Sequence, residues 1–482
     1  MKRWLIALLV CLLLPFGADA KAETEEAADL SKACTFDFGS YPDANYRVLH
    51  KNKYHQKFDA NASFSLTWEE AFSDARLCLQ WYEMPEGVSV LQYDALGTLV
   101  RSDTLLPYPE TITPLLPESR KAVVQAGEAG MRTQFCAVYG PGELPDPFHE
   151  WQETPDHLDY LLISTHPDDD VLFLGSVVPT YGAEQGYIGT IIYVTCDYRA
   201  RMSEAENGAW AMGLRYRPVF FGLPDVRQDA PKEEKNRFRY EELLEMTVRA
   251  YRSLRPAVVF AQDENGEYGH WQHKLTSKAA REAFALAADP AYDPESAEAY
   301  GTWQVQKLYL HLYPENTLMI DAHAGLSFFG GLDAYQVARA AYKKHESQQA
   351  YSFAVKRDDK DYAFNRFGMA EGVVPAGEDV FDHVEPSLLS DYVPPPPTPE
   401  PTPEPTPEPT PDPTPEPTPE PTEAPPETDA RTPEASAAPK PDASAPAPSK
   451  FRPLIWIAVG TVAAAAIGGT AAYFWRKRRN AG

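Results

Sequence analysis

The chain has 482 residues, 46 of them proline, and a formal net charge of −26. That length exceeds what a single hydrophobic core supports, so several units are expected. The acidic balance argues against nucleic acid as a partner.

Residues 1–20 read as an export signal. Lys2 and Arg3 supply the charge, residues 4–16 the apolar core, and Ala18-Asp19-Ala20 a cleavage site. Beyond it stand four cysteines, Cys34, Cys78, Cys136 and Cys196. In an exported chain they can oxidise, with three pairings open. Cys196 ends an apolar run and reads equally well as a buried thiol. None belongs to a Cys-x-x-Cys pair, so zinc binding by cysteine is not expected.

Residues 31–150 read as a small all-β sandwich. Ser63-Phe64-Ser65-Leu66-Thr67-Trp68 alternates, and residues 76–82 place Leu77, Leu79 and Trp81 on one side. Asp94-Ala95-Leu96-Gly97-Thr98 separates residues 88–93 from 100–102 as a hairpin turn would, and residues 133–139 are a further strand. Short strands at this spacing suggest a sandwich. The layout resembles a discoidin-like (galactose-binding-like) module, so sugar binding competes with a purely packing role for its aromatics. Proline-rich residues 140–155 read as a linker.

From residue 157 to about 375, strand and helix patterns alternate. Apolar runs predict strands at 160–164, 188–195, 218–222, 256–261 and 306–312, with helices at 203–214, 240–254 and 275–287. This alternation argues a Rossmann-like parallel α/β sheet. No Gly-x-Gly-x-x-Gly is present, so nucleotide binding is not supported. Two of the runs end in polar clusters. The first is followed by His166-Pro167-Asp168-Asp169-Asp170, the second by Gly269-His270-Trp271-Gln272-His273. Aspartates opening a helix suit its caps and dipole on structural grounds alone. Paired with histidines from a second strand end, they match the three-ligand open site that catalytic zinc prefers.

His-Pro-Asp-Asp followed far downstream by Gly-His-x-x-His resembles the PIG-L-like (LmbE-like) family of zinc-dependent N-acetylglucosaminyl de-N-acetylases. Arg201-Met202-Ser203-Glu204, Phe221-Gly222-Leu223-Pro224-Asp225 and His345-Glu346-Ser347-Gln348 extend the resemblance. It implies that His166, Asp169 and His273 bind Zn2+. It assigns Asp168 as general base and His270, protonated, to the oxyanion. Arg201 would contact substrate; the alternative is a surface pair with Glu204 or an adjacent carboxylate. Asp225 would bind a sugar hydroxyl or cap the next helix. His345 would be structural or line the rim, on a later helix with Lys343 and Lys344. Two departures stand out: the family usually has Glu at the position of Asp170, and His-Pro-Asp-His where this chain has His-Trp-Gln-His.

Residues 394–450 begin with Thr-Pro-Glu-Pro repeats and continue Ala/Pro/Ser-rich, a composition that builds no core and reads as a disordered stalk. In polyproline II, at about 3.1 Å per residue, it would reach on the order of 150 Å. Residues 454–474 are uncharged and long enough for one bilayer crossing, and the basic residues 475–482 would stay cytoplasmic. The whole reads as a single-pass cell-membrane protein with its folded domains outside. Its expected function is zinc-dependent de-N-acetylation of an amino-sugar glycan. The competing readings are an amidase on a non-sugar N-acyl substrate and a non-catalytic glycan-binding surface protein. A Gly-x-Ser-x-Gly elbow is absent, which disfavours a serine hydrolase.

Overall fold

The computed structural model describes residues 25–41, 55–196 and 198–390. The expected signal, stalk, span and tail lie outside the described residues. Among the described residues no helix is long and apolar enough to cross a membrane.

Among the described residues the N-terminal part carries nine strands: β1 (Thr35–Asp37), β2 (Gln56–Phe58), β3 (Ser63–Thr67), β4 (Arg76–Trp81), β5 (Ser89–Asp94), β6 (Leu99–Thr104), β7 (Glu110–Pro114), β8 (Ser119–Gln125) and β9 (Met131–Tyr139). They form a five-stranded sheet, β1-β3-β8-β5-β6, and a four-stranded sheet, β2-β9-β4-β7. Phe64 and Leu66 from the first sheet and Phe58, Leu77, Leu79 and Trp81 from the second share one core, as in a β-sandwich. The alternation seen in β4 predicts one buried face, yet all six of its residues are buried. The reason is the proline-rich segment after β9. Leu144 and Phe148 fold back onto Cys78 and cover the sheet's second face. The stretch that reads as a linker is therefore packed structure.

The second part is a seven-stranded sheet of β10 (Leu158–Ser164), β11 (Gly189–Thr195), β12 (Val219–Leu223), β13 (Pro256–Ala261), β14 (Lys307–His311), β15 (Thr317–Met319) and β16 (Arg366–Gly372). Its order is β12-β11-β10-β13-β14-β16-β15. β10, β11, β13 and β14 are buried at every position, because helices cover both faces. Tyr160 and Leu162 of β10 enter the core on one face, Leu161 and Ile163 the core on the other. The Tyr240–Leu254 helix seals the second face with Leu243, Tyr251 and Leu254 and stops at Arg255, whose φ of 47° ends the helix left-handed. The Ala334–Tyr342 helix covers the first face, started by an Asp333–Gln336 capping box.

The sheet is mixed rather than wholly parallel, since β16 runs antiparallel to β14 and to β15. Arg366-Phe367-Gly368-Met369-Ala370-Glu371-Gly372 lacks the apolar run that marks a strand, so sequence alone does not show it. The Arg199–Ala211 helix starts four residues earlier than its apolar pattern suggests, and the Trp271–Leu286 helix likewise. Their first turns break the apolar pattern because Arg201, Gln272 and His273 face the site. His345 lies past the end of the Ala334–Tyr342 helix, not on it. Among the described residues Cys34, Cys78, Cys136 and Cys196 form no disulfide.

Candidate metal centre

From β10 the chain steps one way to β11 and, later, the other way to β13. The crevice between the carboxyl ends of β10 and β13 is thus the topological switch point. Both polar clusters open there. Thr165, just after β10, donates its N–H to Gln262 Oε1 at 2.9 Å, and its hydroxyl meets Gln262 and, at 2.8 Å, Thr276. These buried bonds pin the two strand ends and the Trp271–Leu286 helix together, so residues a hundred apart in sequence converge.

Three atoms form a tight triangle. His166 Nδ1 lies 2.8 Å from Asp169 Oδ2 and 3.1 Å from His273 Nε2, and His273 Nε2 is 3.1 Å from Asp169 Oδ2. Zinc bonds of about 2.0–2.1 Å in tetrahedral geometry would space such atoms roughly 3.3 Å apart. His270 also belongs to the buried group, with ring nitrogens of all three histidines within 4.8 Å of one another.

The hydrogen bonds at the far sides of the rings decide which lone pairs point inward. Gln272 Nε2 donates to the Pro224 carbonyl at 2.9 Å, so its Oε1 is the acceptor, taking the Val226 N–H and, at 3.2 Å, His166 Nε2. That leaves His166 Nδ1 as a bare nitrogen. His273 Nδ1 donates to Glu267 Oε2 at 2.7 Å, which likewise bares Nε2. Two lone pairs and a carboxylate oxygen converge on one point, a donor set that fits a divalent cation. The electrostatics favour positive charge at that point. Burial pushes His273 down, but Asp169 and Glu267 overcome it and raise the ring to about 10. Burial also opposes ionisation of Asp169, yet His273 and His166 hold it well below the carboxylate range. The pocket wants positive charge.

Glu267 is fully buried, and sequence gave no signal for it among Asp263, Glu264 and Asn265. Its second oxygen takes a 2.6 Å bond from His311 Nδ1, while His311 Nε2 donates to the Ala363 carbonyl at 2.9 Å. Both ring nitrogens of His311 face acceptors. Burial raises Glu267, but the bonds from His273 and His311 outweigh it and hold the carboxyl at about 2.

Asp168 stands beside the triangle and is not part of it. It takes a φ of 120°, a costly backbone for an L-residue and one that clusters at functional sites. Arg201 Nη2 donates to its Oδ1 at 3.1 Å and also to the Pro167 carbonyl. Burial pushes Asp168 up to about 8, with Arg201 pulling down and Asp169 adding to the rise. Asp170 is buried beneath, accepting from Tyr193 at 2.8 Å, and burial pushes it to about 7. The Asp at this position therefore packs inward onto β11.

His270 differs from expectation in charge. Burial and the neighbouring His166 and His273 push it down to about 3, so it is a neutral ring, with Nδ1 buried and unpartnered. Asp225 is half-exposed with Oδ1 3.7 Å from His166 Nε2; the next helix, Lys232–Lys235, starts at Pro231, so Asp225 caps nothing. Arg201 does not pair with Glu204, which instead accepts from Ser347 N–H and Oγ at 2.8 and 2.6 Å. His345 is fully buried against Gly208, neither ring nitrogen bonded, and lines no rim.

A doubly wound sheet with a candidate metal centre at its switch point is the class that fold and site define. Residues 161–284, within the α/β domain, match the family model for PIG-L, GlcNAc-PI de-N-acetylase, a distant homology to that family. The chain is 29% identical over 186 residues to 1D-myo-inositol 2-acetamido-2-deoxy-alpha-D-glucopyranoside deacetylase 1 of Catenulispora acidiphila. That alignment covers 33% of this chain and 57% of the relative, so the chain spans little more than half of that curated relative's length. Among solved structures, N,N'-diacetylchitobiose deacetylase from Pyrococcus horikoshii aligns at 19% identity and a TM-score of 0.29, over 39% of this chain and 70% of that one. A fucose binding module from Streptococcus pneumoniae aligns at 12% identity and a TM-score of 0.19, over 24% of this chain and 98% of that one.

Proposed function

We propose that this protein is a zinc-dependent de-N-acetylase of an N-acetylglucosamine-type glycan, carried on the outer face of a cell membrane by its C-terminal segment. The observation that supports it best is the convergence of His166 Nδ1, Asp169 Oδ2 and His273 Nε2, with Asp168 standing beside them, in a domain that matches a de-N-acetylase family model. Those three atoms would hold the metal. When bound there, zinc supplies a Lewis acid that lowers the pKa of water and polarises the amide carbonyl. Asp168, oriented by Arg201, takes the proton from the attacking water and returns it to the departing amine, so the amide and water become acetate and a free amino sugar. His270, neutral and short of a partner, donates a ring N–H to the oxyanion as it develops. Asp225, half-exposed at the crevice edge, takes a sugar hydroxyl.

The β-sandwich would hold the glycan, and Tyr82 supports this: it is 46% exposed and stacks on His55 at 3.9 Å, offering a flat aromatic face. Membrane anchoring rests on residues 454–482 of the sequence alone. The test is amine release from N-acetylglucosamine oligomers by the full chain, before and after chelation. The proposal expects acetate and free amine in equal amounts, lost on chelation and restored by zinc. No amine release from any such oligomer by metal-loaded protein contradicts it.

A further inference from the structure

The seam between the sandwich and the α/β domain is built from buried polar groups. Glu110 opens β7, the edge strand of the four-stranded sheet, and is 3% exposed. Its Oε1 accepts from Gln80 Nε2 at 2.7 Å within the sandwich. The same oxygen accepts from Ser203 Oγ at 2.9 Å and sits 3.6 Å from Arg199 Nη1, both on the Arg199–Ala211 helix of the other domain. Arg217 closes the seam, donating to the Glu110 carbonyl at 3.1 Å and to Glu206 at 2.8 Å.

Helical spacing gives this contact a consequence. Arg199, Ser203 and Glu206 fall at i, i+4 and i+7, so they share one face, and that face meets the sandwich. Arg201, two residues on from Arg199, projects from the opposite side, where it holds Asp168. No side-chain cap secures the start of this helix at Tyr198. Glu110 holds the sandwich-facing side of the turns from which Arg201 reaches, while Ser347 holds Glu204 on another side.

We propose that Glu110 is a positioning residue for the reaction: through Ser203 and Arg199 it sets the first turn of the helix and thereby the placement of Arg201 on Asp168. The sandwich is then a fixed part of the catalytic unit. This rests on the proposed de-N-acetylase reading for its kinetic consequence, but not for its structural one.

A double-mutant cycle in the full chain tests it, with Glu110→Ala and Arg201→Ala singly and together. Displacement of a positioned group costs up to about a hundredfold in rate. Glu110→Ala is therefore expected to lower kcat about ten- to a hundredfold with metal content unchanged, and to cost little more once Arg201 is already Ala. In the Glu110→Ala variant, amide hydrogen exchange should quicken at residues 199–203 and stay unchanged in β10 and β13. If Glu110→Ala does not fold, Ser203→Ala serves in its place. An equal fractional loss of kcat in both backgrounds, or an unchanged exchange rate at residues 199–203, overturns the proposal. Wild-type chain with no turnover would count against the de-N-acetylase reading instead, and the exchange measurement then decides this one.

Discussion

Glu267 and Glu110 are both buried glutamates, one behind the candidate metal centre and one in the seam, yet the protein drives them in opposite directions. Glu267 is held at about 2, because each of its oxygens accepts from a histidine. Glu110 is pushed up to about 7, because burial and the nearby Glu206 outweigh the donors Gln80 and Ser203 and the charge of Arg199, and its Oε2 has no partner. Burial alone does not set the charge of a carboxylate; the donors on its oxygens do. The metal pole is organised to keep negative charge in place. The seam holds a carboxyl that ionises only at a cost.

The strongest way to break that contrast is at the pole. His273→Ala removes one of three converging ligand atoms and one of the two partners that keep Glu267 ionised, so metal content of the purified chain should fall from one per molecule to near zero. Retained stoichiometric metal would show that the triangle is not the site. A smaller effect follows from Glu267→Gln. The ring of His273 keeps its ligand atom but loses the carboxylate that fixes its tautomer, and such changes weaken metal affinity about 10–100-fold. Competition with a chelator reads this directly, and unchanged affinity would make Glu267 a bystander.

The smallest effect concerns the seam. A carboxyl whose folded value is raised from 4.5 to about 7 contributes stability that is complete below its unfolded value. That contribution is lost as pH rises through about 7. Glu110→Gln keeps the shape without the titration. The stability of the variant relative to the wild type should therefore grow between pH 5 and 8, by up to ~3 kcal/mol if the whole shift is realised. Thermal melts across that range check it, with Glu206, Arg199, Arg217 and Tyr108 left intact as the groups facing the position. A difference that does not change with pH would contradict the seam's described charge state.

The centre of the α/β domain was legible because its strands are continuous apolar runs: the bounds of β13 and of the Tyr240–Leu254 helix agree with the sequence to the residue. That the cluster from His166 to Asp170 and the cluster from His270 to His273 would meet was legible from their places at strand ends, while the separate roles within each cluster came from the family resemblance. Glu267 and His311 were not, because their value lies in a contact across 44 residues that no local pattern encodes. Gln272 looked like a lost acid. Its amide oxygen still accepts from His166, so the substitution keeps the tautomer without adding charge. The antiparallel edge at β16 and the packing of residues 140–155 escaped because glycines and prolines mask structure held by tertiary contact.

Asp168 and Asp169 are adjacent and have opposite work: one stands outside the triangle and is held by Arg201, the other is locked between two histidines. The direct test replaces each by Asn in the full chain and measures bound metal together with kcat for amine release. Asp168→Asn should keep its metal and lose about 10²–10⁴ in kcat, the usual worth of a general base. Asp169→Asn should lose the metal, with activity partly restored by added zinc. Near-normal kcat in metal-loaded Asp168→Asn, or metal lost from it and kept by Asp169→Asn, would contradict the assignment.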